Sequence, residues 1–332
     1  MLTLIVPGLI WTRQALADLT YDLPLPAFST LLGRGALRRM PPQDTAAILA
    51  ETTGLAGPLP AAALRRLALS EHPGDAEWLC LDPVRLRFDQ RSLIVDDPRQ
   101  LQLSEAEAAE LAVALAPTLA ALGELEVISP GAWNLRLRAA APAFQDLAQA
   151  TGQSASPLPS HPDYAPWRHA LNEAQIILHA HPVNQARQAA AQPLVNSLWP
   201  WGGGRLPQSV SSPHGMLWSN DPVAHGIARL LGIEAAPPPA GFADRTAAAP
   251  LAVIDALEHP ARSGDALAWC EQLARFEADW LVPARDALQA GRLDALRLLA
   301  PGELGSAELH VGRRDLWKFW RKPGALTGLA PS

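Results

Sequence analysis

Cysteine is almost absent. Cys80 and Cys270 are the only two in 332 residues, and each sits in an apolar, periodic segment, "EWLCLD" and "LAWCEQL". They read as buried, reduced thiols that pack as small hydrophobes, not as a disulfide framework. No Cys-x-x-Cys pair or Cys/His cluster marks a structural zinc site. Cations are the minority, with 27 Lys and Arg against 33 Asp and Glu and a formal charge of −6. Nucleic-acid binding calls for a basic footprint, so no such partner is expected. Apolar runs are short as well. The run Leu2–Pro7 cannot span a bilayer, and the first residues show no charged stretch ahead of a cleavable apolar one. No membrane partner is expected, and the expected compartment is the cytoplasm. A repeat period of about 20–50 residues, the mark of solenoids, is missing too.

What is present is apolar material, 48% of residues, enough for one large core or a core with a smaller subdomain. Residues 2–6 read as a buried strand stopped at Pro7-Gly8. Leu31–Met40, Thr45–Leu55 and Pro60–Ser70 read as helices. "VRLRFDQ" (84–90) alternates as a half-buried strand should, and "SLIVDD" (92–97) follows closely enough to form a hairpin with it. Ser104 and Glu107 spell a capping box at the head of "SEAEAAELAVALAPTLAAL". Strands at 125–129 and 134–138 follow. Two strands, a helix and two strands predict an α+β subdomain over 76–155. "AAPPPAGF" (235–242) reads as a linker-like segment.

The segment 164–184 predicts a helix stopped by Pro182, with Trp167, Leu171, Ala174 and Leu178 as its apolar stripe. Arg168, Asn172, Gln175 and His179 share an adjacent face. A guanidinium, two amides and an imidazole suit an anion or a polar backbone better than acid–base chemistry; the plainer reading is a solvated face. Next comes "PLVNSLWPWGGGRLP" (193–207). Three glycines let backbone N–H groups approach an anion, or they make a tight turn beside core tryptophans. Arg187, Asn196, Ser197, Gly202, Gly203 and Gly204 therefore join the ligand-binding candidates, and Trp199 and Trp201 are expected to be mostly buried. Further on, 214–219, 250–257 and 303–312 read as strands, 220–233 as a helix, and 264–288 as a long helix bent at Pro283. "RRDLWKFWRK" (313–322) is expected to dock its tryptophans on the core and leave its cations in water.

"LHAHPVNQARQAAAQPLVNSLWPWGGGRLP" resembles a segment of the archaeal-type cofactor-independent phosphoglycerate mutases, where an Asn-x-x-Trp-x-Trp-Gly-x-Gly element precedes a strand. "MLWSNDPVAHGIARLLG" resembles the element that follows there, and "LQLSEAEAAELAVALAPTL" with "LEVISPGAWNLRL" resembles part of that family's inserted domain. "WLCLDPVRLRFD", "LNEAQIILHAHPVN" and "NSLWPWGGG" are similar to a bacterial branch labelled regulatory protein of the RpfE type. The resemblance implies an alkaline-phosphatase-like α/β fold: a mostly parallel sheet flanked by helices, with an inserted α+β subdomain. It places the α/β core at 1–75 and 185–332, the insert at 76–155 and a connecting helix at 156–184.

Family members transfer phosphoryl groups with two divalent metals, held by Asp and His, around a Ser nucleophile. Several of those positions differ here. Pro7-Gly8 stands where the family has a metal-binding Asp-Gly, and Ala27 and Ser29 replace an Asn and an Asp. Asp44 and Thr45 lie near the expected nucleophile without a serine, and no Asp-His-Pro motif closes the chain. The expectation is a non-catalytic, phosphoglycerate mutase-like protein with a binding or regulatory role and no cofactor, its partner a protein or a phosphorylated metabolite. The alternative is an active phosphomutase or phosphatase with two manganese or zinc ions and relocated ligands, for which Asp44, Thr45, His259 and Asp265 are the first candidates.

Overall fold

Strand β1 (Leu2–Ile5) is buried at all four positions, because it has a parallel neighbour on each side and no face left to water. After it come α1 (Arg13–Leu19), α2 (Pro26–Arg34), β2 (Ala36–Met40) and α3 (Thr45–Thr53). The middle of the chain supplies α4 (Ala61–Leu69), β3 (Trp78–Val84), β4 (Leu86–Asp89), β5 (Ser92–Val95), α5 (Glu105–Leu119), β6 (Gly123–Ser129) and β7 (Ala132–Leu137). It continues with α6 (Leu147–Ala150), α7 (Ala165–Ala180), α8 (Pro182–Ala189) and β8 (Ser197–Gly204). The last third adds β9 (Met216–Trp218), α9 (Pro222–Leu231), β10 (Glu234–Ala236), β11 (Pro250–Val253) and α10 (Glu258–Ser263). It ends with α11 (Ala266–Phe276), α12 (Val282–Gln289), β12 (Ala295–Ala300) and β13 (Ser306–Gly312). This computed structural model describes residues 1–69, 72–89, 92–154, 158–208, 210–242 and 249–330. Ser70, Gln90 and Ala155, which close three of the segments expected from sequence, lie outside the described residues.

The chain forms two compact units, Met1–Gly57 with Ser209–Ser332, and Pro58–Gln208. In the first, seven strands run in the order β10-β9-β11-β1-β12-β13-β2. The five from β10 to β12 are parallel, and β13 turns back antiparallel to β12 and β2. Leu4, Phe28, Leu273 and Leu298 belong to its core. This is the expected α/β class, a mostly parallel sheet flanked by helices. The second unit carries an antiparallel sheet, β6-β7-β3-β8, and the separate hairpin β4-β5. Its core joins Leu81, Leu111, Leu115, Trp133, Trp167 and Leu178.

The unit boundaries differ from those expected. Helix α4, the presumed connection 156–184 and the segment up to Gln208 all belong to the second unit. The reason is pairing: β8 completes the sheet against β3, and α7 packs on α5 and β8. The expected helix Leu31–Met40 is also corrected. It ends at Arg34, and Ala36–Met40 is an edge strand on β13. At Gly35 a Cβ would lie 2.7 Å from Val311 and 2.8 Å from the Leu31 carbonyl oxygen, so the chain passes β13 where only glycine fits. The helix expected over 264–288 is interrupted by a π-helical turn, Glu277–Leu281. Pro283 has no N–H for the Asp279 carbonyl, which accepts from Phe242 N at 2.9 Å instead. Pro182 ends α7 as expected but also opens α8, whose first turn is capped by the His181 ring.

The tryptophan–glycine stretch is strand β8, and its glycines make a bulge. Gly204 pairs with Trp78 and Trp201 with Cys80, so β8 spends three steps where β3 spends two. Gly202 sits at φ +59, and a Cβ there would come 2.6 Å from Ala61 Cβ at the start of α4. Trp199 and Trp201 are half-buried, not mostly buried, and each indole N–H has an acceptor: Trp199 on Gln145 O at 2.9 Å, Trp201 on Asp82 Oδ2 at 2.8 Å.

Asp82 is the centre of a buried polar group. Arg65 meets it through two parallel bonds of 2.9 Å and also donates to Trp133 O and Asn134 Oδ1. Asp82 further accepts from Trp133 N, and Asn134 donates to Ala62 O. Arg65, Asp82 and Asn134 are all buried. Removing one charge of such a pair strands the other in low dielectric. Arg65→Met is therefore expected to cost the second unit about 3–5 kcal/mol, read from the urea midpoint followed by tryptophan fluorescence. A loss below about 1 kcal/mol would show that the guanidinium is dispensable.

Candidate functional site

A parallel α/β sheet offers ligands the carboxyl ends of its strands, so that edge of the first unit is the place to look. The exit of β1 is closed by packing. Gly8 lies at φ +75, and a Cβ on it would stand 2.5 Å from Leu257 O and 2.7 Å from Glu258 Cα. Trp269, fully buried, donates its indole N–H to Gly8 O at 2.8 Å, and Trp11 packs on Trp269 with ring centroids 5.4 Å apart. At the exit of β9, Ser219 is buried; its hydroxyl accepts from Asp221 N at 3.1 Å and its carbonyl lies 2.6 Å from His225 Nε2. Asp255, after β11, is exposed, and Gly302, after β12, donates its N–H to Gln43 O.

Three other carboxylates near this edge cap helices. Asp44 accepts from Ala47 N at 2.6 Å at the head of α3. Asp221 accepts from Val223 N at 2.9 Å, and Asp265 from Ala268 N at 3.0 Å. His259 lies exposed on α10. His214 is buried at the opposite, amino end of β9, 3.1 Å from Ala249 O, and burial lowers its pKa. Among the described residues no three His, Cys, Asp or Glu side chains come together as a ligand set. The described residues do not fit a two-metal centre.

Sequence reasoning missed Glu277. It projects from the π-helical turn and accepts from Ala27 N at 2.6 Å and Phe28 N at 3.0 Å, the first donors of α2. It thus holds the place an anion would take at a helix start. Burial pushes its carboxyl pKa up, against the two N–H bonds that favour the charge. The signal was faint: Leu25, at the cap position of α2, has no side chain able to cap, so the cap had to come from elsewhere.

The ligand-binding candidates of the second unit are mostly dispersed. Gln175 and Ser197 do meet, Nε2 to Oγ at 3.2 Å. Arg168 reaches back to Pro159 O, while Asn172 and His179 are exposed on α7. Asn196 clamps the backbone of Leu86 from both sides, at 2.7 and 2.8 Å. Arg187 is buried and fully engaged with Pro193 O, Leu101 O and Glu107 Oε1. Gly202, Gly203 and Gly204 form the β8 bulge rather than a phosphate cradle.

Glu107 joins α5 to α8. Its carboxylate completes the capping box, accepting from Ser104 N, and pairs with Arg187 at 2.8 Å. Burial works against its charge, but the Ser104 N–H, the Arg187 guanidinium and the Ser104 hydroxyl outweigh it and hold the pKa below the usual glutamate range. A depressed folded-state pKa adds stability above the unfolded value, about 4.3, and loses it as pH falls through the folded one. Glu107→Gln should therefore flatten the acid limb of the stability–pH curve below about pH 4.5 and lower stability at pH 7. Denaturant titrations across pH check this; an unchanged acid limb would remove Glu107 as its source.

No protein-family model matches the chain, and no curated protein matches it. Solved structures do share its fold. The PH0037 protein from Pyrococcus horikoshii aligns with a TM-score of 0.55 at 14% identity, over 98% of this chain and 91% of that one. The cofactor-independent phosphoglycerate mutase from Thermoplasma acidophilum DSM 1728 aligns with a TM-score of 0.50 at 16% identity, over 99% and 95%. The fold is phosphoglycerate mutase-like.

Proposed function

We propose that this chain is a non-catalytic, phosphoglycerate mutase-like protein with a binding or regulatory role, in line with its RpfE-type resemblance. Pro7, just past the end of β1, carries the reading. A two-metal phosphoryl-transfer site needs carboxylates and imidazoles converging on paired cations within roughly 4 Å. Here Pro7, at the position where the resemblance places a metal-binding aspartate, has no ligating side chain, and among the described residues no set of His, Cys, Asp or Glu converges elsewhere. Asp44 and Asp265, the first residues an active enzyme with relocated ligands would call on, are held at separate helix starts. The partner in this reading is a protein or a phosphorylated metabolite, and no cofactor is required.

The protein is loaded with manganese or zinc, its bound metal is measured, and interconversion of 2- and 3-phosphoglycerate is assayed. The expected outcome is no stoichiometric metal pair and no turnover above background. Turnover by the loaded protein would establish the enzyme instead, and Asp44, Thr45, His259 and Asp265 would be its first mutational targets. For metabolite binding, 3-phosphoglycerate titrated by calorimetry is the probe. Arg168 lies at the surface of α7, and Arg168→Ala should weaken binding about ten-fold, the scale of one charge-assisted contact. Undiminished affinity would place the anion elsewhere.

A further inference from the structure

The segment 313–322 does not dock its tryptophans. Trp317, Phe319 and Trp320 are 74%, 77% and 69% exposed, and only Leu316 turns into the core. This is an ordered presentation. Asp315 accepts from Gly312 N at 2.8 Å and pairs with Lys318, and Arg34 donates to Leu316 O at 2.6 Å. Beyond the aromatics the chain is fastened again: Gly324 N donates to Ser29 O, and Lys322 O crosses so close to Gly33 that a Cβ there would collide. The segment is therefore pinned at both ends with its aromatic side chains directed outward, Phe319 and Trp320 edge to face at 5.4 Å.

The charge of the segment departs from that of the chain. Arg313, Arg314, Lys318, Arg321 and Lys322 face one acid, Asp315, a net of +4 against −6 overall, which leaves −10 for the remainder. Both lysines of the chain fall here. Arg314, Arg321 and Lys322 are exposed and, among the described residues, their side chains have no hydrogen-bond or ion-pair partner. Exposed tryptophans with unpaired cations around them match the two layers of an anionic bilayer surface. The rings lie at headgroup level, and the cations are drawn to lipid phosphates. A nucleic-acid strand asks for a charged groove that tracks its backbone, and a ten-residue projection on an acidic chain supplies none.

We propose that residues 313–322 form a peripheral docking site for an anionic phospholipid surface, with Trp317, Phe319 and Trp320 entering the interface and Arg314, Arg321 and Lys322 holding the headgroups. This is independent of the functional reading above and needs no membrane-spanning helix; none of the helices described is long and apolar enough to be one.

The full chain is sedimented with vesicles of phosphatidylglycerol and phosphatidylcholine in equal parts, and with phosphatidylcholine alone. Binding is expected only to the anionic vesicles and should weaken as salt rises. Arg314→Ala/Arg321→Ala/Lys322→Ala should reduce it roughly a hundred-fold, and Trp317→Ala/Phe319→Ala/Trp320→Ala at least about ten-fold. All six side chains are exposed, so both variants should keep the parent melting temperature, which is measured alongside. The proposal is overturned if anionic vesicles leave the protein in solution, or if both folded variants bind as the parent does. It is equally overturned if the variants instead lose single-stranded oligonucleotide binding or self-association while vesicles are ignored.

Discussion

The near-contact between Gly8 and the Leu257–Glu258 backbone is the constraint on which the first unit depends. β1 lies between β11 and β12 in the sheet, so its exit is the position from which a parallel sheet presents groups to a ligand. Here the chain leaves that position in a left-handed conformation that glycine adopts without strain, against a carbonyl that leaves no room for Cβ. The Trp269 indole then ties α11 to the Gly8 carbonyl. A side chain at residue 8 would have to displace the Leu257–Glu258 backbone at the start of α10.

Helix starts impose the second constraint. Their first N–H groups have no partner within the helix, and this chain answers repeatedly with aspartate: Asp44, Asp97, Asp146, Asp221 and Asp265 each accept from the turn they precede. A carboxylate at a helix start is also stabilised by the positive end of the helix dipole. Lone pairs are not exhausted by one such bond, but each of these carboxylates is fixed at a different helix. Glu277 extends the pattern across the fold, reaching α2 from a residue about 250 positions away in sequence.

The periodic segments were legible in the sequence, and the junctions were not. The capping box at Ser104 and Glu107 and the apolar stripe of α7 follow from local spacing alone, and both formed. β2 was hidden because "ALRRM" has no helix-breaking residue of its own; only the approach of β13 at Gly35 makes it a strand. β12, "ALRLLA", went unnoticed because a run of six with Arg297 as its one polar residue is too short to show a period. The candidate site failed for a related reason. Arg187 and Asn196 look available on a sequence, since carbonyl groups of distant residues such as Leu101 and Leu86 leave no mark there. That Pro7 brings no ligating side chain is a statement about one residue, and it was readable at once.

The tryptophan–glycine stretch, the part of the sequence that most suggested a ligand, is explained by a contact that no motif encodes. Without a side chain at Gly202, the first turn of α4 can lie directly on β8. That approach brings Arg65, one turn further along α4, to Asp82 on β3, and Trp201, just before the bulge, turns its N–H to the same carboxylate. The guanidinium lies 5.8 Å from the Trp201 ring centroid, which adds a cation–π contact to the ion pair. Gly202, Arg65, Asp82 and Trp201 are thus one device for fixing a helix on a sheet. A side chain at 202 would act on it indirectly, by lifting α4 and withdrawing Arg65 from a carboxylate that has no water to fall back on. The bulge is conformational and the charge pair electrostatic, yet each is only tolerable in the presence of the other.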